Sequence, residues 1–117
     1  MSPVIDRAKY YARMQVETSA KPRLICMLHE RCTQLIRLAM ESDNKTAKTN
    51  LIKAQNILAQ LERALKRTDD VSNGLFYLYD YCYCMLENVE PEPLSTALEL
   101  MISLRDTFEK LLKRDES

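Results

Sequence analysis

The sequence predicts an all-α fold, an antiparallel up-down-up-down four-helix bundle with a short N-terminal arm. The chain of 117 residues contains one glycine and four prolines, so the backbone has few places to turn sharply. Apolar residues recur three and four positions apart in four segments that polar turns separate. Four helices of about twenty residues, each ~30 Å long and joined by short turns, fold back antiparallel.

Length and charge predict a single domain over residues 1–117 and exclude some classes of partner. The 17 basic and 17 acidic residues leave no net charge to attract a polyanion, so we expect no nucleic-acid partner. No segment approaches the ~20 apolar residues that cross a bilayer, and the N-terminus lacks the apolar run of a secretion signal. We therefore expect a cytoplasmic protein without membrane contact, whose four cysteines are reduced.

The first 17 residues are expected to form a loosely docked or mobile arm, with a weak helical pattern around Asp6–Met14. The segment at about residues 20–42 is the first clear helix. Pro22 fits its first turn, where the missing N–H has no intrahelical partner to lose, and Thr18 or Ser19 is the expected cap. Its predicted apolar face consists of Leu24, Ile25, Leu28, Cys32, Leu35, Ile36, Leu38 and Ala39.

The next segment, residues 47–66, has the most regular pattern. Its apolar residues alternate three and four apart, as in a helix packed at a shallow angle on its neighbours. They are Ala47, Leu51, Ala54, Leu58, Leu61 and Leu65. A polar turn precedes this helix, and Asn44 or Thr46 is the expected cap.

The following segment is too apolar for an ordinary bundle helix, because residues 75–86 contain one charged residue in twelve positions. Its predicted seam, the row of apolar residues that faces the other helices, consists of Val71, Leu75, Leu78, Cys82, Met85 and Val89. Four further large apolar or aromatic residues lie outside this row, and we call them the surplus: Phe76, Tyr79, Tyr83 and Leu86. Asp69 or Asp70 is the expected cap. A break at residues 90–93 should precede the last helix, whose seam is Leu94, Ala97, Met101, Leu104, Phe108 and Leu111.

Four of the six tyrosines lie in this apolar segment, between positions 77 and 83. A buried tyrosine needs a partner for its hydroxyl, whereas at an interface it offers a large, stiff apolar area with a polar tip. Two interpretations are open from the residues alone. Either Tyr77 and Tyr81 flank the bundle while Tyr79 and Tyr83 cover neighbouring helix ends, or the tyrosines form an exposed surface for a partner.

A metal site is a more specific alternative to the interpretation of the cysteines as buried thiols. Cys26, His29 and Cys32 share part of one helix surface, and two further cysteines follow later in the chain. Residues two apart on a helix point about 200° apart, so Cys82 and Cys84 cannot both face one ion. We expect buried thiols, a histidine at the edge of the core, and no metal or cofactor.

A small helical enzyme of the chorismate-mutase type is the catalytic alternative. Such a site would hold a dicarboxylate between buried arginines and a glutamate. The candidates fall mostly on the outer faces of the seams, where solvated charge explains them: Arg23, Arg37, Arg63, Arg105 and Glu62. The chain also lacks a glycine-rich phosphate loop, and we do not expect an enzyme.

Several short motifs occur in a recognisable order: Tyr11, Val16–Thr18, Leu24–Leu28 and Leu78–Tyr81. Over about residues 8–112 this pattern resembles the FliS family, the flagellin-specific export chaperones of bacterial flagella. That family typically has a tyrosine five residues before Val-x-Thr, a helix start with Leu-Ile-x-Met-Leu, and a later Leu-Tyr-Asp-Tyr. The chain resembles a divergent member.

Two departures from the family pattern stand out. After the Met-Leu the family usually has Tyr-Asp-Gly, and this chain has His29, Glu30 and Arg31. The basic pair that usually follows Leu-Tyr-Asp-Tyr in the family is replaced here by Cys84 and Met85.

The resemblance implies a chaperone that binds the disordered C-terminal segment of flagellin, prevents premature polymerisation and delivers flagellin to the flagellar type III export apparatus. Whether an anti-sigma factor or a co-chaperone also binds is left open. Ordering a disordered tail costs entropy, so affinity must come from broad apolar area, and we expect docking of a helix in a groove.

On this hypothesis a groove is lined partly by Ile25, His29, Tyr79, Tyr83 and Leu86. The N-terminal arm covers that groove without a client, through Tyr10, Tyr11 and Val16. The alternative is a structural or regulatory homodimer, in which the same surplus face pairs two copies of the chain.

Overall fold

The computed structural model describes residues 22–66 and 70–116, without the side chains of 111, 112 and 114–116. This part of the chain folds into four helices: α1 (Pro22–Glu41), α2 (Asn44–Ala64), α3 (Asp70–Met85) and α4 (Pro91–Glu116). Each helix packs on the next and α4 packs on α1, so the helices form a ring in chain order. The predicted all-α four-helix bundle is confirmed. The predicted arm lies outside the described residues, and so do Thr18 and Ser19, the candidates for the cap of α1.

The N-terminus of α2 differs from its prediction. The cap is Asp43 rather than Asn44 or Thr46, and the backbone N–H of Thr46 donates to Asp43 Oδ1 at 2.9 Å. This hydrogen bond lowers the pKa of Asp43, because it favours the ionised carboxylate. The N-terminus of α1 follows its prediction, since Pro22 is the first residue of the helix.

The connection between α3 and α4 comes earlier than predicted. α3 ends at Met85, and α4 begins at Pro91 rather than at Leu94. Both Pro91 and Pro93 therefore lie in the first turn of α4, where a missing N–H removes no intrahelical hydrogen bond. The first main-chain bond across this turn runs from Leu94 N–H to the Glu90 oxygen, at 3.2 Å.

The seams predicted for α2 and α4 form most of the core. All predicted seam residues of α2 up to Leu61 are buried, and Leu65 is half-buried just beyond the helix end. In α4, Leu94, Ala97, Met101 and Leu104 are buried as predicted, and Leu100 joins them. Phe108 is half-buried, and the side chain of 111 lies outside the description.

The buried face of α1 is turned relative to its predicted seam. The core contains Ile25, Cys32, Leu35, Ile36 and Ala39, as expected. Leu24 and Leu38 are about half exposed, at 46% and 45%, so their predicted place on the apolar face is wrong. Two polar side chains, His29 and Thr33, are buried instead, and they show that the core lies on the side of residues 25, 29, 32 and 36.

Candidate protein-binding surface

A buried hydrogen bond joins two opposite helices of the bundle. His29 of α1 and Tyr79 of α3 are both almost completely buried, and Tyr79 Oη lies 2.8 Å from His29 Nε2. The imidazole also packs on Phe108 of α4, with ring centroids 5.0 Å apart. Because α1 and α3 are not neighbours in the ring, this pair crosses the core. The tyrosine hydroxyl thereby obtains the partner that its burial requires.

Burial also fixes the protonation state of this pair. It lowers the pKa of His29 from 6.5 to about 3, and it raises the pKa of Tyr79 far above its ordinary value. The neighbouring Cys82 adds to the shift at Tyr79. Both side chains are therefore neutral at physiological pH. His29 Nδ1 has no hydrogen-bond partner among the described residues, so one polar atom of the ring is unsatisfied.

Three of the four cysteines lie inside the bundle. Cys26, Cys32 and Cys82 are buried free thiols, whereas Cys84 is exposed. Burial raises the pKa of Cys32 to about 12 and that of Cys82 well above its ordinary value, so both stay protonated. Across the part of the chain that the structure describes, no group of three or more His, Cys, Asp or Glu side chains could hold a metal ion.

The groove predicted for a partner is not open in this structure. Ile25, His29, Tyr79 and Leu86 are buried, with Tyr79 only 1% exposed. The expectation that His29 lies at the edge of the core is wrong, since its side chain is fully buried. Burial in the isolated chain does not test whether these four residues contact a partner, so that contact stays a prediction.

Tyr83 is the one member of the predicted lining on α1 and α3 that keeps an accessible part, since it is half-buried. Its main-chain oxygen accepts a hydrogen bond from Gln55 Nε2 of α2, at 3.1 Å. This bond holds the end of α3 against α2. The arm residues of the prediction, Tyr10, Tyr11 and Val16, lie outside the described residues.

The exposed aromatic face of α3 is formed by other tyrosines. Tyr77 is 64% exposed and Tyr81, one turn later, is 37% exposed. Phe76 packs edge-on against Tyr77, with ring centroids 6.0 Å apart. This exposure fits both interpretations of the tyrosines, because a residue that flanks the bundle and a residue that faces a partner are both accessible.

A second exposed apolar surface runs along α1, and the sequence analysis did not identify it. We call it the α1 stripe: Leu24, Met27 and Leu38, of which Met27 is 61% exposed. At about 100° per residue the three side chains lie within roughly 60° of one another and span ~21 Å along the axis. The signal was present in the sequence, because Cys26 and Met27 extend the apolar residues of α1 over more than half of its circumference.

An open groove of about 560 Å³ between α1 and α4 adjoins the α1 stripe. Cys26 and Met27 contribute its apolar part, and Met27 belongs to both features, so the groove and the stripe form one continuous surface. The polar lining carries both signs of charge: Arg23, Glu30, Arg31 and Gln34 of α1, with Glu109 and Lys113 of α4.

An ion pair between α1 and α4 engages one of these acids. Arg105 Nη1 lies 3.2 Å from Glu30 Oε2, and Arg105 also pairs with Asp106 at 3.0 Å. Burial lowers the pKa of Arg105, but its acidic neighbours raise it by more, so the guanidinium stays charged. Arg31 donates to the neutral Gln34 amide, with Nη1 3.3 Å from Oε1. The charge of Glu30 is therefore balanced from α4, whereas Arg31 has a neutral partner.

The arginines considered for a dicarboxylate site do not form a buried cationic pocket among the described residues. Arg23, Arg37 and Arg63 are exposed, and Arg105 is paired with acids. None of the helices described is both long enough and apolar enough to cross a membrane.

Comparison with known proteins adds a family match. The family model described as "Flagellar protein FliS" matches residues 5–115, which include α1 to α3 and nearly all of α4. A protein of Bacillus subtilis (strain 168), named "Flagellar secretion chaperone FliS", is 39% identical over 77 residues. This match covers 62% of the chain and 58% of the relative, so the chain spans less than two thirds of that protein.

Proposed function

The chain belongs to the FliS family, as its motifs predicted, and on this premise we propose that it is an export chaperone for flagellin. In this proposal it binds the disordered C-terminal segment of flagellin in the cytoplasm and prevents premature polymerisation. It then delivers flagellin to the flagellar type III export apparatus. The single observation that carries the proposal is the family match over residues 5–115, and the name of the Bacillus subtilis relative supports it.

The surface of the bundle is consistent with this role. A disordered tail loses conformational entropy when it binds, so the chaperone must offer broad apolar area in return. The exposed face of α3, with Tyr77 and Tyr81, supplies such area. It lies on a bundle whose core is closed, so binding a client need not unfold the chaperone.

The proposed client contacts start from the accessible part of the predicted groove. Among the described residues of the predicted groove lining, Tyr83 is the one that a client can reach without opening the bundle. Tyr10, Tyr11 and Val16 of the arm are proposed to cover this region without a client. The buried members of the predicted lining would support Tyr83 from beneath rather than touch the client in the closed bundle.

The proposal is tested with purified chain, full-length flagellin and flagellin without its C-terminal segment. We expect a stable complex with the full-length protein and none with the truncated one, measured by isothermal titration calorimetry. The complex should also delay filament growth, followed by light scattering. Equal binding of both flagellins, or unchanged filament growth at saturating chain, would contradict the proposal.

Tyr83→Ala is the variant that tests the contact region. Client binding should weaken while the helical circular dichroism is retained, because the ring is half-buried at the surface. Ile52→Ala on α2 is the matched control, since Ile52 is a large apolar residue with 58% exposure on another helix. Tyr79→Ala is unsuitable, because loss of a fully buried aromatic ring typically costs about 3–5 kcal/mol of folding stability.

A homodimer remains the second candidate, because the exposed Tyr77 and Tyr81 could pair two copies of the chain. Sedimentation velocity at low micromolar concentration separates the two functions. A tight dimer that Tyr77→Ala dissociates would favour the homodimer, and a monomer that binds flagellin would favour the chaperone.

A further inference from the structure

We propose that the α1 stripe and the adjoining groove between α1 and α4 form a docking surface for an acidic amphipathic helix of a second protein. This surface lies apart from Tyr83 and the tyrosine face of α3. The inference rests on the exposure and charge of α1 and does not require that the chain binds flagellin.

The apolar part of the surface has the dimensions of a helix contact. The three side chains of the α1 stripe lie on one side of α1 over ~21 Å, which equals about four turns of a facing helix. The exposed polar residues Arg31 and Gln34 lie between Met27 and Leu38 on the same side. Met27, the most exposed of them, also lines the groove of about 560 Å³, so a bulky side chain of a partner can enter beside it. A methionine adapts its shape to such a side chain more easily than a branched residue does.

The charges around this surface select an acidic partner. All three cations of α1, Arg23, Arg31 and Arg37, are exposed, and their positions lie within about 80° of the α1 stripe, as does that of the exposed acid Glu41. The α4 wall adds one cation and one acid, Lys113 and Glu109. Glu30 is already engaged by Arg105 of the bundle. Four cations and two further acids thus surround the surface, so carboxylates on a partner would meet more cations than acids.

The same features disfavour the other occupants. The chain as a whole has no net charge, so a polyanion is not drawn to it from a distance. A lipid surface is flat, whereas this surface has a second wall from α4 that carries the acidic Glu109 as well as Lys113. A second copy of the chain would bring the same three arginines against these cations, and like charges oppose that contact.

The test uses the full chain and two designed peptides of 18 residues. Both carry leucines at helical spacing on one face. The acidic peptide has glutamates beside the leucines, and the basic peptide has lysines at the same positions. By fluorescence anisotropy we expect the acidic peptide to bind at least about tenfold more tightly than the basic one, and added salt to reduce the difference.

Two pairs of variants locate the binding. Met27→Gln should weaken the acidic peptide about fivefold through lost apolar contact, and Ile52→Gln, with similar exposure on α2, should leave it unchanged. Arg31→Glu should narrow or reverse the preference for the acidic peptide. Lys53→Glu, an exposed cation of α2, is the control for that change of charge.

Three results would overturn the proposal. The first is equal affinity for both peptides, and the second is an Ile52→Gln effect as large as that of Met27→Gln. The third is that the acidic peptide does not bind, while Met27→Gln abolishes binding of the chain to vesicles of anionic phospholipid or dissociates a dimer of the chain. Either effect would show that a lipid surface or a second copy of the chain occupies this surface. None of these three experiments contains flagellin, so a failure of flagellin binding would not change their results. The two proposals can therefore be refuted independently.

Discussion

Acid should destabilise this protein through its single histidine. His29 is fully buried, and burial lowers its pKa to about 3 from the ordinary 6.5. Unfolding returns the imidazole to water, so between these values the unfolded chain binds a proton that the folded chain does not. The stabilisation that follows from neutral His29 is therefore complete above pH 6.5 and is lost progressively as the pH falls towards 3.

The size of the effect follows from the two pKa values. Their difference is 6.5 − 3 = 3.5 units, which corresponds to about 5 kcal/mol at roughly 1.4 kcal/mol per unit. At pH 4.5 about 3 kcal/mol of this is already lost. A chain of this length has an unfolding free energy of about 6–18 kcal/mol, so the loss should be readily measurable.

Urea unfolding of the parent and of His29→Gln, at pH 7 and at pH 4.5, measures this contribution. The glutamine amide can still reach Tyr79 Oη, but it takes up no proton. Carboxylates titrate in both proteins and cancel in the comparison. We expect the parent to lose about 3 kcal/mol more than the variant between the two pH values.

Parallel losses in the two proteins would refute this reasoning. A direct check is the NMR titration of the imidazole, which belongs to the only histidine of the chain. Its Cε1–H resonance should stay at the neutral position down to pH 4, and a midpoint near 6.5 would show that the ring is in contact with water.

Three further predictions concern the cap, the core and the thiols. Asp43→Ala should cost about 1 kcal/mol in urea unfolding, because it removes the N-cap of α2, whereas Asn44→Ala should change little; the reverse order would contradict the cap assignment. Leu58→Ala should cost about 2–5 kcal/mol, because it leaves a cavity in the closed core, and a loss below 1 kcal/mol would contradict its burial. Iodoacetamide should modify Cys84 in the folded chain and Cys82 only after unfolding, as mass spectrometry would show; equal rates would contradict the burial of Cys82.

The parts of the fold that sequence predicted correctly depend on local pattern. α2 is the clearest case, since its apolar residues alternate without interruption and all five from Ala47 to Leu61 are buried. The connection before α4 was placed too late because a proline can either end a helix or occupy the first turn of the next. The sequence around Pro91 and Pro93 is compatible with the end of α3 and with the first turn of α4. In the structure both prolines lie in the first turn of α4, which places Leu94 in the core.

The candidate site was harder to predict because its burial depends on contacts between distant residues. Tyr79 was assigned to the surplus because it lies outside the predicted seam of its own helix. The partner of its hydroxyl is His29, fifty residues earlier and on the opposite helix, and no spacing rule within one helix can identify it. Once this pair is inside, α1 must present residues 25, 29 and 32 to the core. Leu24 and Met27 are then left in water, and they form the surface that the sequence analysis did not identify.

The three consecutive residues that depart from the family pattern can be understood together from this geometry. Successive residues of a helix point about 100° apart, so His29, Glu30 and Arg31 face three different environments. His29 enters the core and binds Tyr79, Glu30 faces α4 and pairs with Arg105, and Arg31 lies in the wall of the groove beside the α1 stripe. A change at this point of the chain therefore alters the core, a helix contact and the outer surface at once.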